Sequence, residues 1–354
     1  MTSVVHVITT LNRGGAENQL FTLAREQVRS GINVIVIPIK GSNELESDFK
    51  KHNISIDNSL LNQNILKQFF LITRITHGNS STFHAHLPRA ELLVALSRIK
   101  KKNFVVSRHN AEKFFPKAPR LVSLVLARFV SARASKIIAI SFAVRNFLID
   151  SFEIPKKKSV SVVYYGINDD LTNRNKSFPE NKALTFGTIA RLVPQKDIPT
   201  LLRAFSFYLR EYYSSKLIII GSGYLLPELI ALCDELGIAK SVEWVGKVSD
   251  IPSNLEMIDI FLLTSTYEGF GLVLLEAMQN GVPVIAANNS AIPEVLGSDK
   301  GNLFDTGDEG HLSMLMKRYS NRLEWERLQQ QGYERLKYFK PDLMKSKIDE
   351  VYLL

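Results

Sequence analysis

Glu268 and Glu276 bracket the segment EGFGLVLLE, in which two carboxylates stand on either side of a glycine-bearing turn. An unbroken helix would turn Glu276 about 80° away from Glu268 over eight residues. A helix that begins near Gly271 instead leaves Glu268 in the loop and carries Glu276 roughly 7–8 Å further along the axis. The N–H groups of that helix start then lie between the two acids and can receive a phosphate, one acid holding sugar hydroxyls and the other a ribose. Alone, such a pair is more simply read as a cap or an internal contact. A second segment, ARLVPQKD, adds Arg191 and Lys196, and it too follows a strand. Together they can clamp a pyrophosphate, Arg through a planar fork and Lys as a point charge. Fixed cations of this kind stabilise a departing nucleoside diphosphate without a metal.

Three glycine-bearing turns follow strands: Gly14-Gly15, Gly221-Ser222-Gly223 and Gly269-Phe270-Gly271. Each can present backbone N–H groups at a helix start, an anion site. A dinucleotide fingerprint needs a third glycine and an acid about 20 residues further on. After Gly14-Gly15 the next strand ends at Lys40, and after Gly221-Ser222-Gly223 the third position is Leu226 and the next strand ends in Gly246-Lys247, so both turns fail that test. His84, His86 and His109 invite a metal, since His-x-His on a strand puts two imidazoles on one face. No Cys or Asp/Glu cluster accompanies them, and no metal site is expected. His6 and His84 read as satisfied core histidines, while His86, just before Leu87-Pro88-Arg89, reads as a candidate for the binding surface.

The elements that must position these residues alternate between strand and helix, twice over. Val4–Thr9, Val34–Ile39, Phe104–Ser107, Lys136–Ile140 and Ser161–Tyr164 read as strands, with a helix over Ala16–Ser30 closed by Gly31. After a polar stretch the pattern restarts with strands at Leu184–Thr188, Lys216–Ile220, Val242–Val245, Ile260–Leu263 and Pro283–Ala286. Helices are expected over Ile198–Tyr213, Leu225–Leu236 and Gly271–Asn280. The predicted fold is α/β, with two Rossmann-like doubly wound domains on parallel sheets facing a central cleft. The expected divisions are a first domain over 1–168, a linker over 169–182, a second domain over 183–336, and a helical segment over 337–354 returning to the first domain.

Composition bounds the partners. Residues 1–180 hold 26 Lys and Arg against 13 Asp and Glu, while residues 181–354 hold 18 against 22, for a total of +9. A basic half beside an acidic one points to something anionic at the first domain. Residues Lys113 to Lys136 mix cations with Phe114, Phe115, Leu121, Leu124, Val125, Leu126, Phe129 and Val130, a composition suited either to an anionic membrane surface or to a solvated surface helix. Nucleic acid is not expected, because no binding motif accompanies the charge. No apolar run approaches the roughly 20 residues of a membrane span. The start lacks the character of a secretory signal, and the single cysteine, Cys233, fits a reducing cytoplasm.

Taken in order, these segments resemble the retaining glycosyltransferases of the GT-B fold, family 4 (glycosyl transferases group 1). The likeness runs through LNRGGAE at 11–17, HAH at 84–86, SRHN at 107–110, AIS at 139–141, VYYGI at 163–167, ARLVPQKD at 190–197, Gly221–Gly223 and the Glu268 to Glu276 segment. It implies a metal-independent hexosyltransferase without a cofactor. Such an enzyme would move a sugar from a nucleotide donor, a UDP-sugar, to a glycan or lipid-linked acceptor in polysaccharide biosynthesis. Arg191 and Lys196 would bind the diphosphate, Glu276 the ribose, and Glu268 the hydroxyls of the donor sugar. Amides of Gly269, Phe270, Gly271 and Leu272 and of Gly14 and Gly15 would close on phosphate and sugar. Gly221 and Gly223 would belong to the donor site. His109 would touch the donor sugar at the anomeric carbon, and the Val248 region would line the base. The resemblance further implies same-face attack assisted by the leaving phosphate, with Glu268 as an orienting group. It places the protein in the cytoplasm, peripheral to a membrane. The chain departs from the family pattern at Tyr165 and Asn168, where Asn and Asp are usual. A nucleotide-sugar epimerase or a non-catalytic glycan-binding protein on the same scaffold stay open as alternatives.

Overall fold

The runs rich in Val and Ile form two sheets made only of parallel strands. This computed structural model describes residues 3–155, 157–167, 176–180, 183–248, 250–297 and 301–353. Its strands are β1 (Ser3–Ile8), β2 (Asn33–Pro38), β3 (Ser55–Ile56), β4 (Thr82–His86), β5 (Phe104–Arg108), β6 (Lys136–Ala139) and β7 (Val160–Val162). The second set is β8 (Thr185–Ile189), β9 (Lys216–Ile220), β10 (Val242–Gly246), β11 (Ile260–Leu263), β12 (Val284–Ala287) and β13 (Leu303–Phe304). Strand order is β3-β2-β1-β4-β5-β6-β7 in one sheet and β10-β9-β8-β11-β12-β13 in the other. Each order reverses once, between β1 and β4 and between β8 and β11. At such a switch point the loops leaving the two central strands diverge and open a crevice.

The chain divides into two compact units, Met1–Asn168 with Phe339–Leu354, and Asp169–Tyr338. Asn168 and most of the linker lie outside the described residues. Lys176, within the linker, pairs with Asp259 in the second unit (3.3 Å). In the first unit the helices Gly15–Arg29 and Pro341–Leu353 pack on each other. Ile8, Leu11, Leu20, Ala24 and Phe49 are fully or almost fully buried in one core cluster. In the second unit Trp325 is wholly buried and its indole N–H donates to the Asp259 carbonyl (2.9 Å). Cys233 is buried, and burial pushes its thiol up to about 11. No helix among the described residues is long and apolar enough to cross a membrane.

The segment Lys113–Lys136 is not one amphipathic helix: its helix is Arg120–Arg133. Phe114 and Val130 are buried, and Arg133 donates to the carbonyls of Ala95, Ser97 and Ile99, so these belong to the interior. Leu121, Val122, Val125 and Phe129 remain exposed.

Candidate functional site

In the second unit the loops after β8 and β11, the two strands at the reversal, are stitched together. Thr266 N–H donates to the Gln195 carbonyl (2.8 Å), the Gln195 amide to the Tyr267 carbonyl (3.0 Å), and the Thr264 hydroxyl to the Lys196 carbonyl (2.8 Å). This lacing brings Lys196 and Glu268 into an ion pair between Nζ and Oε1, with side chains only 14% and 11% exposed. The same Oε1 accepts from the Ser265 hydroxyl (2.7 Å), and Glu268 N–H donates to the Ser290 hydroxyl (2.8 Å). Ser265 and Ser290 thus hold Glu268 at side chain and main chain. The identity of Ser265 three residues before the acid was legible, but Ser290 comes from the distant β12 loop and carried no local signal. Arg191 is exposed, within 3.4 Å of Gln195 through Nη2. Asp197 adopts φ 44°, a left-handed conformation that ends the turn Pro194–Lys196 and starts the helix Ile198–Leu209. Its carboxylate accepts from the Thr200 hydroxyl (2.8 Å).

Gly271, at φ 90°, caps the helix Leu272–Gln279, so that helix begins where the sequence places it and Glu268 stays in the loop. Phe270, between the two glycines of the turn, is 3% exposed. Glu276 lies on the helix, and desolvation pushes its carboxyl up to about 7. A carboxyl so placed gains from any hydroxyl that donates to its charged form.

Gly221 and Gly223 press on the Arg191 loop. A Cβ at Gly221 would come within 1.9 Å of the Ala190 carbonyl oxygen, and one at Gly223 within 2.1 Å of that of Leu192. Leu192 N–H donates to Ser222, and Gly221 N–H donates to Gly246. Their first task is therefore close backbone approach, which sets the height of the cation loop. Val248 follows β10 and is half-buried.

Gly14, Gly15 and His109 belong to the first unit. Gly14 is the extended cap (φ −160°) of the helix Gly15–Arg29, whose Glu17 accepts from the Thr10 hydroxyl (2.5 Å). His109, just past β5, has both ring nitrogens engaged, Nε2 with His86 (3.1 Å) and Nδ1 with the Tyr165 hydroxyl (2.5 Å). Burial holds His109 down at about 3. His6 and His84 are completely buried and bonded, as expected of core histidines. His86 is also interior, at 2% exposure, because β4 runs through the centre of the sheet and His6 lies against it, and it lines a pocket together with His109 and Tyr165. His6, His84 and His86 bring their nitrogens within 4.8 Å of one another, a grouping that the spacing of His84 and His86 does not reveal. Each of those nitrogens has a hydrogen-bond partner: Gln27, Tyr352, Ser107 or another histidine.

Two parallel-sheet units, each with a single reversal of strand order, are the fold of the GT-B glycosyltransferases. Anabaena HepE in complex with UDP-glucose superposes with a TM-score of 0.81 at 20% identity, covering 99% of both chains. The family model for glycosyl transferases group 1 matches residues 169–335, and that for glycosyltransferase family 4 matches residues 13–171. The chain belongs to this family. An N-acetyl-alpha-D-glucosaminyl L-malate synthase of Bacillus anthracis is 28% identical over 64% of this chain and 61% of its own length. A capsular polysaccharide biosynthesis glycosyltransferase of Staphylococcus aureus is 28% identical over 49% of each chain. An uncharacterized glycosyltransferase of Methanocaldococcus jannaschii is 31% identical over 46% of this chain and 44% of its own. The chain thus spans about half the length of these curated relatives.

Proposed function

We propose that the protein moves a hexosyl group from a UDP-sugar to a glycan or lipid-linked acceptor of cell-surface polysaccharide assembly, retaining the anomeric configuration and using no metal ion. The observation that carries this reading is the Lys196–Glu268 pair at the reversal of the second sheet, three residues before the cap of the helix Leu272–Gln279. Lys196 and Arg191 take the diphosphate, and the first N–H groups of that helix add their dipole. As the donor enters, Lys196 is shared between the β-phosphate and Glu268, which keeps it desolvated and aimed. Glu276 accepts from the ribose hydroxyls. Glu268, with Oε1 already engaged by Lys196 and Ser265, orients donor-sugar hydroxyls and does not attack carbon. The leaving phosphate, neutralised by the two cations, then takes the acceptor proton on the same face. The UDP complexes of HepE and the polysaccharide role in the Staphylococcus relative's name support the donor and the pathway class.

The test is protection from thermal unfolding by UDP-, GDP- and ADP-glucose, followed by product analysis by mass and by anomeric coupling. Protection by the UDP-sugar, lost in Glu276→Ala, and turnover that survives EDTA are expected. A Glu276→Ala variant that binds and turns over like the parent overturns the site. EDTA inhibition reversed by Mg²⁺ or Mn²⁺ overturns the metal-free mechanism.

The partner proposed for the first unit is an anionic membrane. Leu66 and Phe70 on the helix Ile65–Thr76 are 78% and 70% exposed, and Leu121 on Arg120–Arg133 is 72% exposed. Neither helix contains an acidic residue, and Lys67, Arg74, Arg120 and Arg128 flank these side chains. Salt-sensitive sedimentation with phosphatidylglycerol vesicles, lost in Leu66→Ser/Phe70→Ser, is expected. Failure to bind even at low salt overturns it.

A further inference from the structure

Beneath the helices Gly15–Arg29 and Pro341–Leu353, four hydrogen bonds run end to end through one side of the first sheet. The Gln27 side-chain carbonyl meets His6 Nε2 (2.8 Å), His6 Nδ1 meets His86 Nε2 (3.0 Å), His86 Nδ1 meets His109 Nε2 (3.1 Å), and His109 Nδ1 meets the Tyr165 hydroxyl (2.5 Å). We propose that this chain is a directional relay that places the ring proton of His109 on Nε2 and makes Tyr165 the donor to Nδ1, with Gln27, His6 and His86 as positioning residues. His109 is thereby held as an oriented, fully bonded ring and not as a proton acceptor. The functional half of this statement rests on the reading that His109 borders the donor sugar.

The direction follows from counting protons. A neutral imidazole has one donor and one acceptor. The Gln27 carbonyl can only accept, so His6 must donate from Nε2 and accept at Nδ1. His86 must then donate from Nε2 and accept at Nδ1, and His109 must do the same. The only donor left for His109 Nδ1 is the Tyr165 hydroxyl. One amide at the far end therefore sets the tautomer of three rings in series. Neutrality is secured by burial, which lowers His6 to about 4 and His86 well below the ordinary histidine value. Arg108, beside His109, adds to the desolvation that keeps this ring unprotonated. Tyr165 is held well above the usual tyrosine range by burial and by the nearby Glu17 charge, so it keeps the proton it donates. The fourth ring, His84, sits outside the series, bonded to Tyr352 (2.7 Å) and Ser107 (2.7 Å).

The experiment is long-range ¹H–¹⁵N correlation of the full chain labelled with ¹⁵N-histidine, with rings assigned by single His→Gln variants. At neutral pH, His6, His86 and His109 are expected as neutral Nε2–H forms. Gln27→Leu removes the terminal acceptor, and the His109 nitrogens are expected to move toward values averaged over both tautomers, although two other rings intervene. Gln27→Glu, which restores an acceptor-only oxygen, is expected to return them to the parental values. Ser107→Ala, which removes a partner of His84 and breaks none of the four bonds, is expected to leave His109 in place. An Nδ1–H form at His109, or His109 signals unmoved by Gln27→Leu, overturns the relay. Should Gln27→Leu fail to fold, Tyr165→Phe decides: unmoved His109 Nδ1 overturns the proposal. These spectra need no substrate, so absence of glycosyl transfer with the expected spectra would overturn the proposed function and not the relay.

Discussion

At its reversal the first sheet presents His6, His84 and His86, neutral and bonded to their neighbours, while the second sheet presents Lys196 and Glu268 as a charged pair. Both sets are mostly shielded from water. The difference lies in what compensates burial. Among the described residues no acid joins the histidines, so desolvation removes their charge, whereas Lys196 and Glu268 have each other and the Ser265 hydroxyl. One topology thus yields a neutral, rigid edge in one unit and an electrostatic one in the other. The glycine turns differ likewise: Gly14 meets only the movable carboxylate of Glu17, while Gly221 meets main chain.

The largest expected effect tests the neutral edge by acidification. An unfolded histidine takes its proton near pH 6.5, but His6, His84, His86 and His109 take it far lower when folded, so the stability they contribute is full above that pH and lost as pH falls below it. Between about pH 7.5 and 5.5 each accounts for roughly 1.4 kcal/mol. Glu91, buried beside Arg108 and pushed up to about 7, works in the opposite sense by gaining a proton when folded. A net loss of about 4 kcal/mol is expected in the first unit, read as hydrogen-exchange protection corrected for intrinsic rates. Equal loss in both units would erase the contrast. Next, Gly221→Ala forces a Cβ onto the Ala190 carbonyl at φ 137° and is expected to cost roughly 3 kcal/mol in denaturant unfolding. Lys196→Ala is expected to lower turnover roughly 10²-fold, measured with saturating donor. A smaller effect concerns Glu276: if its carboxylate binds ribose, affinity for UDP-glucose should rise by up to about tenfold between about pH 6 and 8. Calorimetry checks this, and Glu276→Gln should flatten the profile. Smallest of all, Gly14→Ala, in extended backbone and facing a side chain that can turn, should cost less than about 1 kcal/mol.

Strand identity was legible because buried parallel strands are continuous apolar runs: Lys216–Ile220 and Ile260–Leu263 coincide with their observed limits. The helix beginning after Gly271 was legible from its glycine cap. The short strands β3 and β13 were not, since two residues carry no periodicity. At the site, Lys196 and Glu268 were legible as types, but their pairing depends on β8 and β11 being neighbours, a long-range fact. Ser290 and the β1 histidine His6 escaped for the same reason. The exposed face of Arg120–Arg133 was only half legible, because the inward turn of Arg133 is set by the helix Pro88–Leu96 packed alongside, and Phe114 lies under the Arg108 guanidinium.

Both tryptophans of the chain, Trp244 and Trp325, fall in the second unit, and Trp325 is sealed in its core. Intrinsic indole emission is therefore a signal from that unit alone. The first unit, lit only by tyrosine, is optically silent above the tyrosine band. Without any label, fluorescence follows the melting of one unit while circular dichroism follows both, and subtracting one from the other isolates the histidine-bearing half.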